Sequence, residues 1–473
     1  MKPMLNGLLG TAVAALLTLD PAAAQTAAPT APKQTPPSGG QPRDFKLPAR
    51  EDFTLPNGLQ ARLVPFGEIP KTTILLTIQA GNVHEPEGQT GIADLLARLL
   101  KEGTATRTAP ALAEEIARMG GSFSIYNGAD ETYVRADCLS EFAPQLLAVL
   151  ADVVQHPTLP ASELPRLKAD LKRQLALQKA QPSFQAEMKM REAVYKGHPY
   201  GRPLPTDAQI DALTLEQAKA FYQKEFGAQR TAIFVAGKFE VPALRQAIES
   251  AWREWPAGPV PHIPVAKGLT RPAVLTQDRP GAPQSTLVIG LPVADPTSPD
   301  YMRLRITNSL LGGSFGSRIT RNIREDKGYT YSPHSYLDTN YHTGLWIEQA
   351  DVTTKDTYNS LKEIVKEIER LQQTPPTAEE LKGIQNYETG VFVLRNSTPG
   401  GIVNQLSQLH LQGLPDSYLT EQVQNINAVT PAQVSATARK YIRPEAMTTT
   451  VVGDQKVIAP QLKQYQAAQK KPL

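Results

Sequence analysis

One signature occurs twice in this chain and restricts the fold more than any other feature. LTLEQAKAFYQKEF, from Leu213, reads as a helix with Thr214 as its N-cap, and TAIFVAG (Thr231–Gly237) follows as an apolar strand ending in glycine. VTPAQVSATARKYI, from Val429, repeats that helix with Thr430 in the capping place, and TTTVVGD (Thr448–Asp454) repeats the strand. The elements before each copy run in the same order. In the first half, Asn57-Gly58 marks a hairpin, Thr72–Gly81 a buried strand, Gly91–Thr104 and Pro110–Met119 helices, and Asn127-Gly128 the turn between two more strands. Helical stretches follow over Glu141–Val154 and Ala161–Lys179, and Val241–Trp252 is a helix after the repeated strand. The second half offers STLVIGLPV and GLWIEQADV as strands and Tyr301–Leu311, Thr357–Gln373 and Ala378–Leu394 as helices. The expected fold is α+β: two homologous domains, each a mostly antiparallel sheet packed with helices. Any mixed domain produces some echoes of this kind, but the matched ends of both halves favour duplication.

Hydrophobic residues make up 41% of the 473, enough for two large cores. Lysine and arginine number 49 against 46 acidic residues, a net charge of +3, so charge makes no case for a nucleic-acid partner. The single cysteine, Cys138, excludes an internal disulfide, a cysteine-rich zinc module and an iron–sulfur cluster, and reads as a small buried apolar residue. The boundaries follow composition. Residues 1–24, with Lys2, an apolar run from Met4 to Leu19 and Ala22–Ala24, read as a cleaved secretory signal rather than a membrane anchor, which implies a periplasmic or secreted bacterial protein with no membrane span after cleavage. Residues 25–47 read as a disordered Pro-rich tether, 48–257 as the first domain, 258–274 as a linker, 275–460 as the second domain and 461–473 as a tail.

GIADLLARLLKEGT, from Gly91, resembles the inverted zinc motif G-x-A-H-L-L-E-H-x-L-x-x-G-T of the pitrilysin/insulinase peptidases, the group that includes the mitochondrial processing peptidases. TLPNGLQARLV, GHPYG, LTLEQAKAFY, the FVAG and VVGD strand ends and WREWPAG extend the resemblance over nearly the whole mature chain. In that motif two histidines one helical turn apart bind zinc and the glutamate between them activates a water. Here Asp94 stands at the first histidine, Ala97 at the glutamate and Arg98 at the second histidine, and counting along the later helix puts Gln174 at the distal glutamate. The resemblance therefore implies a degenerate site that holds no metal, Arg98 being a fixed cation where a dication would sit. His84, His156, His198, His262, His334, His342 and His410 show no helical pair and read as surface or packing residues.

RNIREDKGYTY, from Arg321, resembles the second-domain motif R-E-x-x-G-x-x-Y of the same family. The implied roles fall on Arg324 and Tyr331, a guanidinium and a phenol able to stabilise the oxyanion of peptide hydrolysis. The glycine stretch Gly312-Gly313-Ser314-Phe315-Gly316 is expected to let backbone approach an extended peptide. By resemblance the chain is the non-zinc subunit of a two-chain peptidase, half of a clam-shell chamber. A homologous HxxEH-containing partner supplies the zinc, and the peptide adds as a strand beside Ser122–Tyr126. A non-proteolytic scaffold or peptide-binding protein on the same fold is the alternative. An independent hydrolase is disfavoured because no G-x-S-x-G motif is present.

Overall fold

The duplication is visible strand by strand in the computed structural model, which describes residues 45–469. The first sheet has the order β1-β2-β6-β3-β5-β4, with β1 Glu51–Thr54, β2 Gln60–Pro65, β3 Lys71–Ile78, β4 Ser122–Asn127, β5 Thr132–Leu139 and β6 Thr231–Gly237. The second has the order β7-β11-β8-β10-β9, with β7 Ala273–Asp278, β8 Gln284–Val293, β9 His334–Asn340, β10 Thr343–Thr353 and β11 Thr448–Gly453. In the first sheet β6, the strand of the repeated signature, pairs parallel with β2 and antiparallel with β3, and in the second β11 pairs parallel with β7 and antiparallel with β8, while every other pairing is antiparallel. The second sheet is thus the first without β1. The local chemistry repeats as well: Thr214 and Thr430 each close a capping box, with Gln217 and Gln433 returning the bond.

Two helices that periodicity alone did not reveal hold the halves together. Pro182–Val194 packs on β8 and β11 of the second sheet, and Pro399–Gln412 packs on β3 and β6 of the first. Ala186, Met190 and Val194 share a core with Val288, Leu345, Ile347 and Val452. Ile402, Leu406 and Leu409 share another with Val64, Leu75 and Phe234. Each half therefore lends one helix to the sheet of the other. The exchange shapes the strands beneath: a Cβ on Gly290 of β8 would lie 2.8 Å from the Met190 sulfur, so glycine makes room for the incoming helix.

Several expected boundaries shift. The helix expected over Gly91–Thr104 spans Ile92–Leu99, and Gly103, at φ 116, has already left helical backbone. The tether expected over 25–47 ends early, because Leu47 is partly buried and the Phe45 ring meets Phe392 edge-on at 5.2 Å. The expected tail from 461 is instead helical as far as Gln469, in the helix Gln455–Gln469 that buries Ile458, Leu462 and Tyr465. The expected signal segment lies outside the described residues.

Candidate functional site

The Ile92–Leu99 helix begins after Gly91, held at φ 94. Its first amides are satisfied from a distance: the buried Glu85 carboxylate accepts from Gly91 N at 2.9 Å and Ala93 N at 3.1 Å. Asn82 donates to Glu85 at 3.1 Å and to Asp94 at 3.1 Å. Burial, then the neighbouring Asp94 charge, pushes the Glu85 carboxyl up to about 7. Burial also raises the pKa of Asp94, against the opposing bond from Asn82. One turn on, Arg98 Nη2 donates to Gln174 Oε1 on the Leu164–Lys179 helix. That contact brings together the two positions matched to the second histidine and the distal glutamate.

Zinc requires several lone-pair donors in tetrahedral array. These positions offer one carboxylate, a methyl group at the buried Ala97, a guanidinium without lone pairs and an amide already bonded to it. They do not fit the metal. Among the described residues, no group of three or more histidines, cysteines or acids could hold a metal ion. The second half uses the corresponding helix pair differently: Ser309 Oγ donates to Glu388 at 2.5 Å, and Arg305 reaches the same carboxylate at 3.1 Å.

The other expected pair is assembled. Arg324 lies in the π-helical turn Arg321–Asp326, which ends near Gly328 at φ 64, and the chain then turns back to place Tyr331 in solvent with 81% of its surface exposed. The Arg324 guanidinium carbon stands 5.2 Å from the Tyr331 ring centre and 4.4 Å from that of Phe315, itself exposed. Glu325 forms an ion pair with Arg324. A second π-helical turn, Ser309–Gly313, precedes the loop that carries Phe315. Such turns re-aim side chains and recur at functional sites.

The glycine expectation needs correction. A Cβ on Gly312 would lie 2.6 Å from both Glu348 Oε2 and Ser335 Oγ, and one on Gly313 2.5 Å from Asn308 Nδ2. Both glycines admit the protein's own side chains; only Gly316 in this loop faces open space. Phe315, the second ring against the Arg324 guanidinium, has no signal of its own in the sequence motif. Asn82 and Glu85 carried no sequence signal, since they act from a loop before the motif.

Ser122–Asn127 is the edge strand of the first sheet, as expected for Ser122–Tyr126. Cys138 is buried, and burial pushes its thiol up to about 12. The histidines are less scattered than their spacing implied, because His262, His342 and His410 line one cavity of about 270 Å³. No hydrogen bond or ion pair among the described residues joins Arg324 or Tyr331 to Asp94, Arg98 or Gln174.

Comparison with known proteins finds two matching family models. Residues 68–208 match "Insulinase (Peptidase family M16)" and residues 212–387 match "Peptidase M16 inactive domain". An uncharacterized zinc protease, YmxG, of Bacillus subtilis is 24% identical over 393 residues, covering 82% of this chain and 94% of the relative. A protein of Helicobacter pylori named non-peptidase homolog YmxG is 21% identical over 398 residues, covering 82% and 90%. The crystal structure of a peptidase M16 inactive domain from Pseudomonas fluorescens superposes with a TM-score of 0.78 at 24% identity, covering 86% of this chain and 98% of that one.

Proposed function

The chain belongs to the insulinase family of peptidases, and on that premise we propose that it is the non-zinc subunit of a two-chain zinc peptidase. The observation that carries this reading is an asymmetry. Where the family motif holds metal, Arg98 is bonded to Gln174, whereas Arg324 and Tyr331 stand together with the phenol in solvent. Arg324 also packs on Phe315 and pairs with Glu325, and the exposed phenol beside its guanidinium supports a role in oxyanion stabilisation. In this reading a homologous HxxEH subunit brings the zinc and the general base. Arg324 and Tyr331 donate to the oxyanion that develops on the substrate carbonyl, in trans. The edge of β4 offers unpaired backbone to which an extended peptide adds as a further strand. No helix among the described residues is long and apolar enough to cross a membrane. A periplasmic location, from the signal-like first 24 residues, completes the proposal.

The name of the Helicobacter pylori relative favours a second reading, a non-proteolytic scaffold on the same fold. One experiment separates the two. The chain is purified without chelator, alone and co-expressed with an HxxEH homologue, and each sample is assayed for zinc and for cleavage of an unstructured peptide. The subunit reading expects neither zinc nor cleavage from the chain alone, and cleavage by the pair well above that of the homologue by itself. Stoichiometric zinc in the isolated chain, or a pair no faster than the homologue, contradicts it.

A further inference from the structure

Of the four positions matched to the zinc ligands and the base, Asp94 alone borders a defined space. A cavity of about 260 Å³ opens beside the Ile92–Leu99 helix. Its walls are apolar, with Leu171 and Leu175 from one helix and Phe184 and Met188 from the next. Asp94 and Asn82 bring polar atoms to it. The volume is below that of a site for a drug-sized ligand and suits a single side chain.

The charges around this cavity are unequally satisfied. Arg191 lines it but is held by Glu187 and Asp338, each at 2.7 Å. Arg202 donates to the Glu85 backbone carbonyl at 3.1 Å and faces the Glu85 carboxylate at 3.8 Å. Glu85 itself accepts from two backbone amides and Asn82. Asp94 is different: it is partly buried, and among the described residues Asn82, on Oδ2, is its one hydrogen-bond donor. Arg98, the nearest cation along the helix, is turned to Gln174 and does not line the cavity. A partly buried carboxylate so thinly partnered, bordering an apolar cavity, is a ready partner for a cation.

We propose that this cavity binds the side chain of a lysine in an extended peptide, its aliphatic stem between Leu171, Leu175, Phe184 and Met188 and its ammonium on the free oxygen of Asp94. Ammonium fits better than guanidinium, because one Asp94 oxygen is already taken by Asn82 and a bidentate fork has nothing to grip. The stem matches apolar walls that a hydrated metal ion would not. That the lysine belongs to the substrate rests on the subunit reading above; that the cavity takes an alkylammonium does not.

Methyl-labelled methionine gives the test, because Met188 lines the cavity and its resonance can be assigned from Met188→Leu. The full chain is titrated, without partner, with n-butylammonium chloride, n-butanol and zinc chloride. The Met188 methyl is expected to shift and saturate with butylammonium, and to respond on the order of tenfold more weakly to butanol. Asp94→Asn is expected to weaken the amine by a similar factor, and Leu204→Trp, which fills the cavity from its loop, to abolish the shift while Asp94 stays in place. A lysine-containing peptide should displace butylammonium where its norleucine counterpart does not. Equal binding of amine and alcohol, an unchanged affinity in Asp94→Asn, or zinc displacing the amine would overturn the proposal, and so would a norleucine peptide that competes equally. None of these readings involves cleavage, so failure here is distinct from failure of the two-chain reading.

Discussion

At the residue scale, Arg98 and Gln174 stand at two positions where the family motif carries zinc ligands, and they bond to each other. Zinc would have tied the Ile92–Leu99 helix to the Leu164–Lys179 helix; a charge-assisted hydrogen bond now links the same two positions. Arg98→Ala should cost roughly 1–2 kcal/mol by denaturant unfolding and gain no zinc. Back-substitution is expected to need all four changes, Asp94→His, Ala97→Glu, Arg98→His and Gln174→Glu. Metal analysis showing one zinc per chain in Asp94→His alone would refute that expectation. Glu85 gives a pH test. Its carboxyl titrates near 7 in the fold against an ordinary 4.5, so between these values the native state binds more protons than the unfolded one. Stability should therefore fall as pH rises from about 4.5 to 7, by at most roughly 3 kcal/mol from this group. Glu131, which burial pushes up to about 8, acts in the same direction, so the measurement is the difference between wild type and Glu85→Gln. The variant should flatten the slope across this window; an unaltered slope would show that Glu85 ionises normally.

At the element scale, the helices that were legible in the sequence were those with caps and regular apolar spacing. Thr214 and Thr430 announced their helices, and both form the boxes that the Thr-x-x-Gln spacing provides. The two exchanged helices, Pro182–Val194 and Pro399–Gln412, were not legible, because what makes them helical is the foreign sheet beneath them. Their apolar residues answer to strands on the other side of the duplication. Gly290 measures that packing. Gly290→Val should destabilise by roughly 1–3 kcal/mol through collision with Met190. Met190→Ala should then rescue part of the loss, a coupling that a double-mutant cycle reads directly. Additive effects would place the strain elsewhere. The candidate site divides along the same line. Arg324 and Tyr331 are legible because a run of eight residues carries the motif. Phe315, Asn82 and Glu85 act on the site across loops that no local pattern connects.

At the scale of the whole molecule, each half has a core of its own on one face of its sheet, while reciprocal exchange leaves the other face to be covered by the other half. Residues 45–257 or 275–469 expressed alone should lack cooperative unfolding, each sheet missing the helix that covers it, whereas the full chain should melt as one unit. Independent cooperative melting of either half would refute this. In the proposed two-chain reading, Arg324 and Tyr331 act on the partner's site. The most direct test of that role is steady-state peptide cleavage by the co-expressed pair carrying Tyr331→Phe in this chain. The substitution removes a hydroxyl from an exposed ring and leaves its contact with Arg324. Turnover should fall on the order of a hundredfold, with complex formation by gel filtration and the partner's zinc content unchanged. Wild-type turnover in the Tyr331→Phe pair would contradict the account.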